Sequence, residues 1–177
     1  MRVNNRMNNE LKTDRLLLRK MSSEEWNNYI AHIIEADEFY YQYGLGTSKE
    51  LIESLKEPVS VVDYYSIILR DTEEMAGYIG ACTEYENIEF YVFKEFRRKH
   101  FCSEALSAFL NAYLGGELTG EQHDHTCAET LLENEPAAKA LIKAGFRITG
   151  INLEGAVIFE YGKGENNEVS DVRSINL

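Results

Sequence analysis

The sequence predicts an α/β domain built on a mixed, mostly antiparallel sheet of about six or seven strands flanked by helices. Two observations predict it. Three β-rich runs follow one another between residues 64 and 93, separated by short polar turns, which indicates an antiparallel meander. Two later segments carry apolar residues at helical spacing, each ends at a glycine, and β-rich runs follow them. A chain of 177 residues is long enough for one such domain and short for two.

The first part of the chain is predicted to hold a strand and a helix ahead of the meander. Residues 1–10 are polar and indicate a flexible leader, and a strand follows at Leu16–Met21. Ser22 or Ser23 then caps a helix whose first turn is acidic. This helix carries four apolar residues at helical spacing, Trp26, Tyr29, Ile30 and Ile33. The segment 35–57 is predicted to be helical in pieces.

The meander and a longer helix come next. Its strands are predicted at 65–70, 75–83 and 88–93. The helix begins near His100 and stops at Gly115–Gly116. One apolar face is made by Phe101, Ala105, Ala108, Phe109 and Ala112.

The last part of the chain is predicted as a strand, a short helix and a hairpin. Residues 126–132 form a buried strand, Pro136 opens the helix and Gly145 ends it. The apolar face of this helix comprises Ala137, Ala140, Leu141 and Ala144. Two strands at 146–153 and 156–161 form the hairpin.

The charge balance limits the classes of partner. The chain has 30 acidic and 18 basic residues, a formal net charge of −12. This argues against nucleic acid, because binding a phosphate backbone requires a basic face. The balance suits a cationic or amine substrate, although an acidic surface more often serves solubility alone.

Cysteine use and hydropathy indicate a reduced, soluble and cytoplasmic protein. Cys82, Cys102 and Cys127 are odd in number and widely spaced, which fits neither a disulfide framework nor a zinc pattern. No signal-peptide core and no run of transmembrane length occurs, so no membrane association is predicted. His123–His125 contains metal-ligand residue types, but a polar turn is the favoured interpretation and no metal is predicted.

A cluster of cations stands out against this acidic background. Arg97, Arg98 and Lys99 lie just ahead of the helix that begins near His100. The start of a helix exposes unpaired N–H groups and the positive end of its dipole. Three cations at that position predict an anion site, with phosphate as the expected ligand. The alternative is a solvated run of surface charge.

Three stretches carry a resemblance to a known family: Leu11–Arg19, Glu89–Leu106 and Asn134–Phe146. In this order and spacing they resemble the GNAT superfamily of acyl-CoA-dependent N-acyltransferases over residues 11–163, with 164–177 as a polar tail. The first stretch is similar to the opening strand of the branch that includes ribosomal-protein N-terminal acetyltransferases. The second is similar to the family's fourth strand and pyrophosphate loop, and the third to its ending of Asn, a helix and Gly-Phe.

The resemblance implies that the loop binds the pyrophosphate of coenzyme A. The family pattern is Arg or Gln, two free positions, Gly, one free position, then Gly or Ala, which lets backbone N–H groups close on the phosphates. In this chain histidine replaces the glycine, and cysteine replaces the last small residue. The residues implied to bind the cofactor here are Arg97, Arg98, Lys99, His100, Phe101, Cys102 and Ser103. A loop that no longer grips coenzyme A is the alternative.

The resemblance also implies that an amine attacks the acyl thioester directly. Glu89 is the candidate base that removes the amine proton, directly or through a water, and a solvent-facing strand carboxylate is the alternative. Weaker candidates for the base are Glu84, Glu86 and Glu129. The amides around Tyr91 and Val92 are implied to hold the oxyanion, and Val92 and Asn134 to contact the cofactor arm.

The acid that protonates the departing thiolate is less well defined. Leu141 occupies the position of the tyrosine that many members use, so water, Tyr113 or Tyr161 are the alternatives. By the same resemblance, three tyrosines line the acceptor pocket, or else pack on the core: Tyr40, Tyr41 and Tyr43.

The leading interpretation is an acetyl-CoA-dependent N-acetyltransferase that modifies a protein N-terminal α-amino group or a small amine. The first alternative is an inactive GNAT-like module that binds coenzyme A or regulates a partner. The second is an acidic protein-interaction domain without a cofactor. No motif names the acceptor, and the oligomeric state is open, a homodimer included.

Overall fold

Eight strands form one sheet in the computed structural model, which describes residues 10–35, 53, 55, 62–82 and 84–162. The strands are β1 (Glu10–Lys12), β2 (Leu16–Lys20), β3 (Val62–Leu69), β4 (Met75–Cys82), β5 (Asn87–Val92), β6 (His125–Leu131), β7 (Arg147–Ile151) and β8 (Ala156–Gly162). The α-helices of the described residues are α1 (Ser23–Glu35), α2 (Phe101–Leu114) and α3 (Glu135–Ala144), and Lys94–Phe96 forms a 3-10 turn. The strand order is β1-β2-β3-β4-β5-β6-β8-β7. The predicted fold class is therefore confirmed.

The strand count exceeds the prediction because the opening segment folds back on itself. β1 and β2 pair antiparallel, with Lys12 opposite Leu17, where the sequence predicted one strand. Thr13 closes the turn between them, since its hydroxyl accepts a hydrogen bond from Leu16 N at 2.9 Å. A strand of three residues is too short for alternation to reveal it.

Helix α1 begins as its sequence predicts. The N–H of Glu25 donates to Ser22 Oγ at 3.2 Å, and the N–H of Ser22 donates to Glu25 Oε2 at 2.9 Å, which completes a capping box. Its inward residues Trp26, Tyr29 and Ile33 are fully buried. Three predicted segments lie outside the described residues: the leader up to residue 9, most of 35–57 with its tyrosines Tyr40, Tyr41 and Tyr43, and the tail after Gly162.

Two buried clusters cover the two faces of the sheet. On the α1 face an aromatic cluster contains Trp26, Tyr29, Tyr64, Tyr78, Tyr91 and Phe93. On the other face α2 and α3 pack over aliphatic residues that include Ile88 and Val92. Because successive side chains of a strand point to opposite faces, Glu89 and Tyr91 lie on the α1 face of β5.

The sheet divides between β5 and β6, the one parallel pair among the described strands. These two strands pair at Asn87 and Cys127, where the N–H of Cys127 donates to Glu86 O at 2.7 Å. Further along, β5 stays paired with β4 and β6 stays paired with β8. A gap therefore opens toward the carboxyl ends of β5 and β6.

Helices α2 and α3 both begin at this open end of the sheet, since α2 follows β5 and α3 follows β6. Their positive dipole ends lie beside the gap. Helix α3 buries Ala138 and Leu141, and the predicted face residues Ala137, Ala140 and Ala144 are half-buried. None of the described helices combines the length and the apolar composition needed to cross a membrane.

Candidate active site

The loop ahead of α2 has an unusual backbone. Arg98 has φ of 62° and His100 has φ of 65°, so two side-chain-bearing residues adopt the left-handed conformation. That conformation costs an L-residue about 1–2 kcal/mol, because its Cβ crowds the backbone. Histidine tolerates it better than most residues. His100, at the position where the family pattern has glycine, thus adopts the left-handed backbone conformation that glycine usually provides.

The start of α2 has the features of an anion site. The first helical hydrogen bond runs from Glu104 N to His100 O at 3.1 Å. The N–H groups of Phe101, Cys102 and Ser103 precede that bond, and the imidazole of His100 does not cap them. The side chains of the loop, from Arg97 to His100, are exposed. These features fit a diphosphate lying against the helix start.

Arg97 ties the loop to the end of β5. Its Nε donates to Val92 O at 2.9 Å, and its guanidinium carbon lies 5.3 Å from the centre of the Tyr91 ring. Nothing in the sequence distinguishes Arg97 from Arg98 and Lys99, but the side chain of Arg97 turns back toward β5. Lys99 lies with its Nζ 5.4 Å from the centre of the Phe96 ring.

The turn between β1 and β2 contacts the same loop from the other side. Arg15 donates from Nη1 to Lys99 O at 3.0 Å, and from Nε to Glu104 Oε2 at 2.8 Å. Thr13 Oγ1 donates to Glu104 Oε1 at 2.5 Å. Thr13 and Arg15 were named only within a stretch that carries the family resemblance, and Glu104 had no predicted role. Their separation of about 90 residues left no local signal that they meet.

Gly77 on β4 sets the position of the β5 backbone. Its φ is 154°, and a Cβ built on it would lie 2.0 Å from Tyr91 O. Strand β4 therefore approaches β5 closely where Tyr91 and Val92 lie, and Phe93 N donates to Ala76 O at 2.9 Å just beyond. A glycine inside a strand is the signal that could have shown this close approach.

Glu89 is half-buried on the α1 face of β5. Burial raises the pKa of its carboxyl above the ordinary value, and a hydrogen bond from Tyr78 Oη at 3.2 Å offsets part of that rise. A carboxylate with a raised pKa, next to an opening in the sheet, suits the removal of a proton from a ligand.

The weaker candidates for the base are engaged elsewhere or exposed. Glu86 pairs with His125 Nε2 at 2.6 Å at the closed end of the gap. Glu129 accepts a hydrogen bond from Asn152 Nδ2 at 2.8 Å, and Glu84 is exposed in a turn. Glu89 therefore remains the candidate base, since burial raises the pKa of its carboxyl.

The side chains of Tyr91 and Val92 are buried, so these residues would contact a ligand through their backbone. The ring of Tyr91 is buried and contacts Tyr29 at 5.6 Å and Phe93 at 5.8 Å between ring centres. Val92 is buried on the opposite face. The oxyanion role given to this stretch stays a prediction for its amides.

Residues around α3 form the other side of the gap. Asn134 Oδ1 accepts from Ala137 N at 3.4 Å, so the predicted helix cap is present. Leu141 is buried and carries no proton donor. Tyr161 packs on Phe146 at 5.4 Å between ring centres. Tyr113 is buried about 18 Å along α2 from its first residue, so it is too distant to serve the loop end.

The cysteines and histidines do not form a second reactive centre. Cys82, Cys102 and Cys127 are all free thiols, and burial raises the pKa of Cys102 to about 12, which keeps it protonated. His123 stacks on Tyr113 at 4.4 Å between ring centres. Within the part of the chain that the structure describes, no group of three His, Cys, Asp or Glu side chains is placed to hold a metal ion.

Solved structures with this fold include several acetyltransferases. A GNAT-family acetyltransferase from Bacillus anthracis is 19% identical with a TM-score of 0.69, over 86% of this chain and 98% of that one. Ribosomal-protein-S5-alanine acetyltransferase from Vibrio fischeri is 12% identical with a TM-score of 0.64, over 88% and 97%. The ribosomal L7/L12 α-N-protein acetyltransferase RimL, in complex with coenzyme A, is 11% identical with a TM-score of 0.62, over 85% and 95%.

At these identities the likeness shows the fold alone. No curated protein matches the sequence. The family model for the acetyltransferase (GNAT) domain does match, over residues 15–147. That range includes strands β2 to β6, the loop before α2 and the whole of α3. The chain therefore belongs to the GNAT acetyltransferase family.

Proposed function

We propose that this protein is an N-acetyltransferase that transfers the acetyl group of acetyl-CoA to a primary amine. One observation carries the proposal: strand β5, which borders the division of the sheet, carries the half-buried carboxylate of Glu89 and leads into the loop before α2. The loop supplies an anion site and Glu89 supplies a base. Both are needed by an enzyme that binds a diphosphate-containing donor and deprotonates an amine.

The residues that would hold the donor lie at the open end of the sheet. The free N–H groups of Phe101, Cys102 and Ser103 suit the diphosphate, with the exposed guanidinium of Arg98 as a counter-charge. The backbone of Val92 and the side chain of Asn134 border the gap in which the cofactor arm would lie. Acetyl-CoA supplies an activated thioester whose carbonyl carbon accepts a nucleophile.

Glu89 prepares the acceptor. A protonated amine has no lone pair, so its proton must be removed before it can attack. The pKa of an α-amino group is about 8, and that of a lysine side chain about 10.4. A carboxylate whose pKa is raised is a better match for the less basic amine, which favours an α-amino acceptor. Fold neighbours named as ribosomal-protein acetyltransferases support the same choice.

The proton for the departing thiolate would come from water. Leu141 is buried at the position of the usual acid, and the hydroxyl of Tyr113 is sealed inside the core. A coenzyme A thiol is acidic enough to leave with only modest assistance. This assignment needs no further side chain at the open end of the gap.

A second candidate function is a module that binds coenzyme A or regulates a partner without turnover. The observation that favours it is the set of departures at His100, Cys102 and Leu141, where the family pattern has glycine, a small residue and, in many members, tyrosine. The raised pKa of Glu89 argues for the enzyme, because carboxyl groups with perturbed pKa values cluster at functional sites.

Calorimetry and a thiol-release assay together test the proposal. Isothermal titration with coenzyme A measures binding, and release of free thiol from acetyl-CoA measures turnover. The acceptor panel contains one peptide with a free N-terminus, the same peptide with a blocked N-terminus and a free lysine, and a small primary amine. Turnover with the first peptide alone supports the α-amino acceptor. Tight binding without turnover on any acceptor supports the regulatory module, and absence of binding contradicts both.

A further inference from the structure

Three distant segments meet at the loop before α2. They are the β1–β2 turn, the loop itself and the first turn of α2. Thr13 and Arg15 come from the turn, Lys99 from the loop and Glu104 from the helix. These four residues form the turn–loop clamp.

The contacts within the clamp are dense. The carboxylate of Glu104 accepts four hydrogen bonds or charged contacts: from Thr13 Oγ1 at 2.5 Å, and from Arg15 N, Nε and Nη2 at 3.0, 2.8 and 2.7 Å. Both oxygens of the carboxylate are therefore engaged. The Arg15 guanidinium also lies 4.7 Å from the centre of the Phe101 ring, which orients it along the helix start.

The remaining donor of Arg15 reaches the strained part of the loop. Its Nη1 donates to Lys99 O at 3.0 Å, and Lys99 lies between the two left-handed residues, Arg98 and His100. Residues in sparsely populated backbone regions persist only where their surroundings over-determine them. The carbonyl between these two residues is fixed by the clamp.

We propose that Thr13, Arg15 and Glu104 are positioning residues that hold the loop in its ligand-binding conformation and so offset the absence of glycine at His100. The inference rests on the proposed function, because the loop is taken to bind the diphosphate of coenzyme A. Thr13, Arg15 and Glu104 are not among the residues assigned to the donor or the amine. The clamp acts through the backbone at Lys99.

The clamp is not explained as a device for stability alone. The Arg15 side chain is 48% exposed and that of Glu104 is 19% exposed, so the guanidinium lies partly in solvent, where an ion pair contributes less to folding than a fully buried one. Removal of Arg15 should therefore change the conformation of the loop more than it changes the stability of the fold. A glycine in place of His100 adopts the left-handed conformation without a steric cost, so it should reduce the dependence on Arg15.

The test measures coenzyme A affinity by calorimetry in four proteins: the wild type, Arg15→Gln, His100→Gly and the double variant. We expect Arg15→Gln to weaken binding about tenfold with His100 in place, and less than about threefold in the His100→Gly background. Arg19→Gln is the matched control, since it removes a β2 guanidinium that pairs with Glu25 at 2.7 Å, away from the loop. This control should bind like the wild type.

Kinetics separate positioning from a general loss of structure. Arg15→Gln should raise KM for acetyl-CoA and leave kcat and KM for the amine unchanged. Should Arg15→Gln fail to fold, Glu104→Gln replaces it, because the amide keeps one acceptor for Thr13 but loses the charge.

The outcomes distinguish the two levels of proposal. Equal losses in the His100 and His100→Gly backgrounds, or a fall in kcat alone, overturn the clamp and leave the proposed function standing. A wild-type protein that does not bind coenzyme A overturns the proposed function and the clamp with it.

Discussion

The hydroxyl of Tyr78 on β4 donates a hydrogen bond to Glu89 Oε2 on β5 at 3.2 Å. The carboxylate is thereby held on the α1 face of the sheet, beside the aromatic cluster. Burial and this hydrogen bond act on the pKa of Glu89 in opposite directions, and burial prevails. The balance between them makes two experiments informative.

Replacement of Glu89 by Gln should lower kcat/KM by about 10²- to 10⁴-fold, the usual contribution of a general base. The folding stability of this variant at neutral pH, in contrast, should not decrease. A carboxyl whose pKa is raised in the folded state contributes stability below its unfolded pKa, and that contribution is lost as the pH rises through the folded value. Glutamine has no such loss, so at neutral pH the variant should melt no lower than the wild type. Thiol release and thermal melts at mildly acid and neutral pH measure both effects, and a large fall in Tm would assign Glu89 a structural role instead.

Replacement of Tyr78 by Phe should move the acid limb of the rate profile. The wild-type kcat/KM should increase as the pH rises through the raised pKa of Glu89, because the ionised form is the base. Without the hydroxyl the one interaction that lowers this pKa is gone, so the limb should move to higher pH. Tyr64→Phe is the matched control, since it removes a hydroxyl from the same aromatic cluster. A limb that stays in place in Tyr78→Phe would separate Glu89 from the rate-determining ionisation.

Gly77→Ala should destabilise the protein severely. Its Cβ would lie 2.0 Å from Tyr91 O, and neither strand can move without breaking the β4–β5 pairing. Overpacking of this kind costs about 1–3 kcal/mol or more, to which the unfavourable φ adds. Gly120→Ala separates the two effects, because Gly120 also has a positive φ of 81° but has open space around it. Denaturant melts should show a much larger loss for Gly77→Ala, and similar losses would mean that the close approach is not what requires glycine.

Much of the fold could be predicted because its signals are local. Two examples are the capping box formed by Ser22 with Glu25 and the glycine that ends α3, since each depends on residues only a few positions apart. The β1–β2 hairpin escaped prediction because a strand of three residues has no periodicity. The buried Ala138 was left off the predicted face of α3 because a ten-residue helix leaves its phase poorly defined.

The candidate site was predicted in part for the same reason. The cation cluster and the helix start are adjacent in sequence, so the sequence alone could propose the loop as a candidate anion site. The Arg15–Glu104 contact joins residues about 90 positions apart, and the left-handed backbone of His100 has no signature in a histidine. Both depend on tertiary packing, which a single sequence does not reveal.

Arg98→Ala should weaken coenzyme A binding without affecting the fold. The Arg98 side chain is exposed, and loss of a charge-assisted contact to phosphate costs about 1–3 kcal/mol. The affinity of the variant should also depend less on salt, because one ionic contact to the phosphates is gone. Arg97→Ala should show a mixed effect, since Arg97 also donates to Val92 O and covers the Tyr91 ring. Calorimetry at two salt concentrations, beside Arg19→Ala as a control whose guanidinium pairs with Glu25 away from the loop, measures this. Unchanged affinity in Arg98→Ala would remove that residue from the anion site and leave the helix N–H groups to hold the diphosphate.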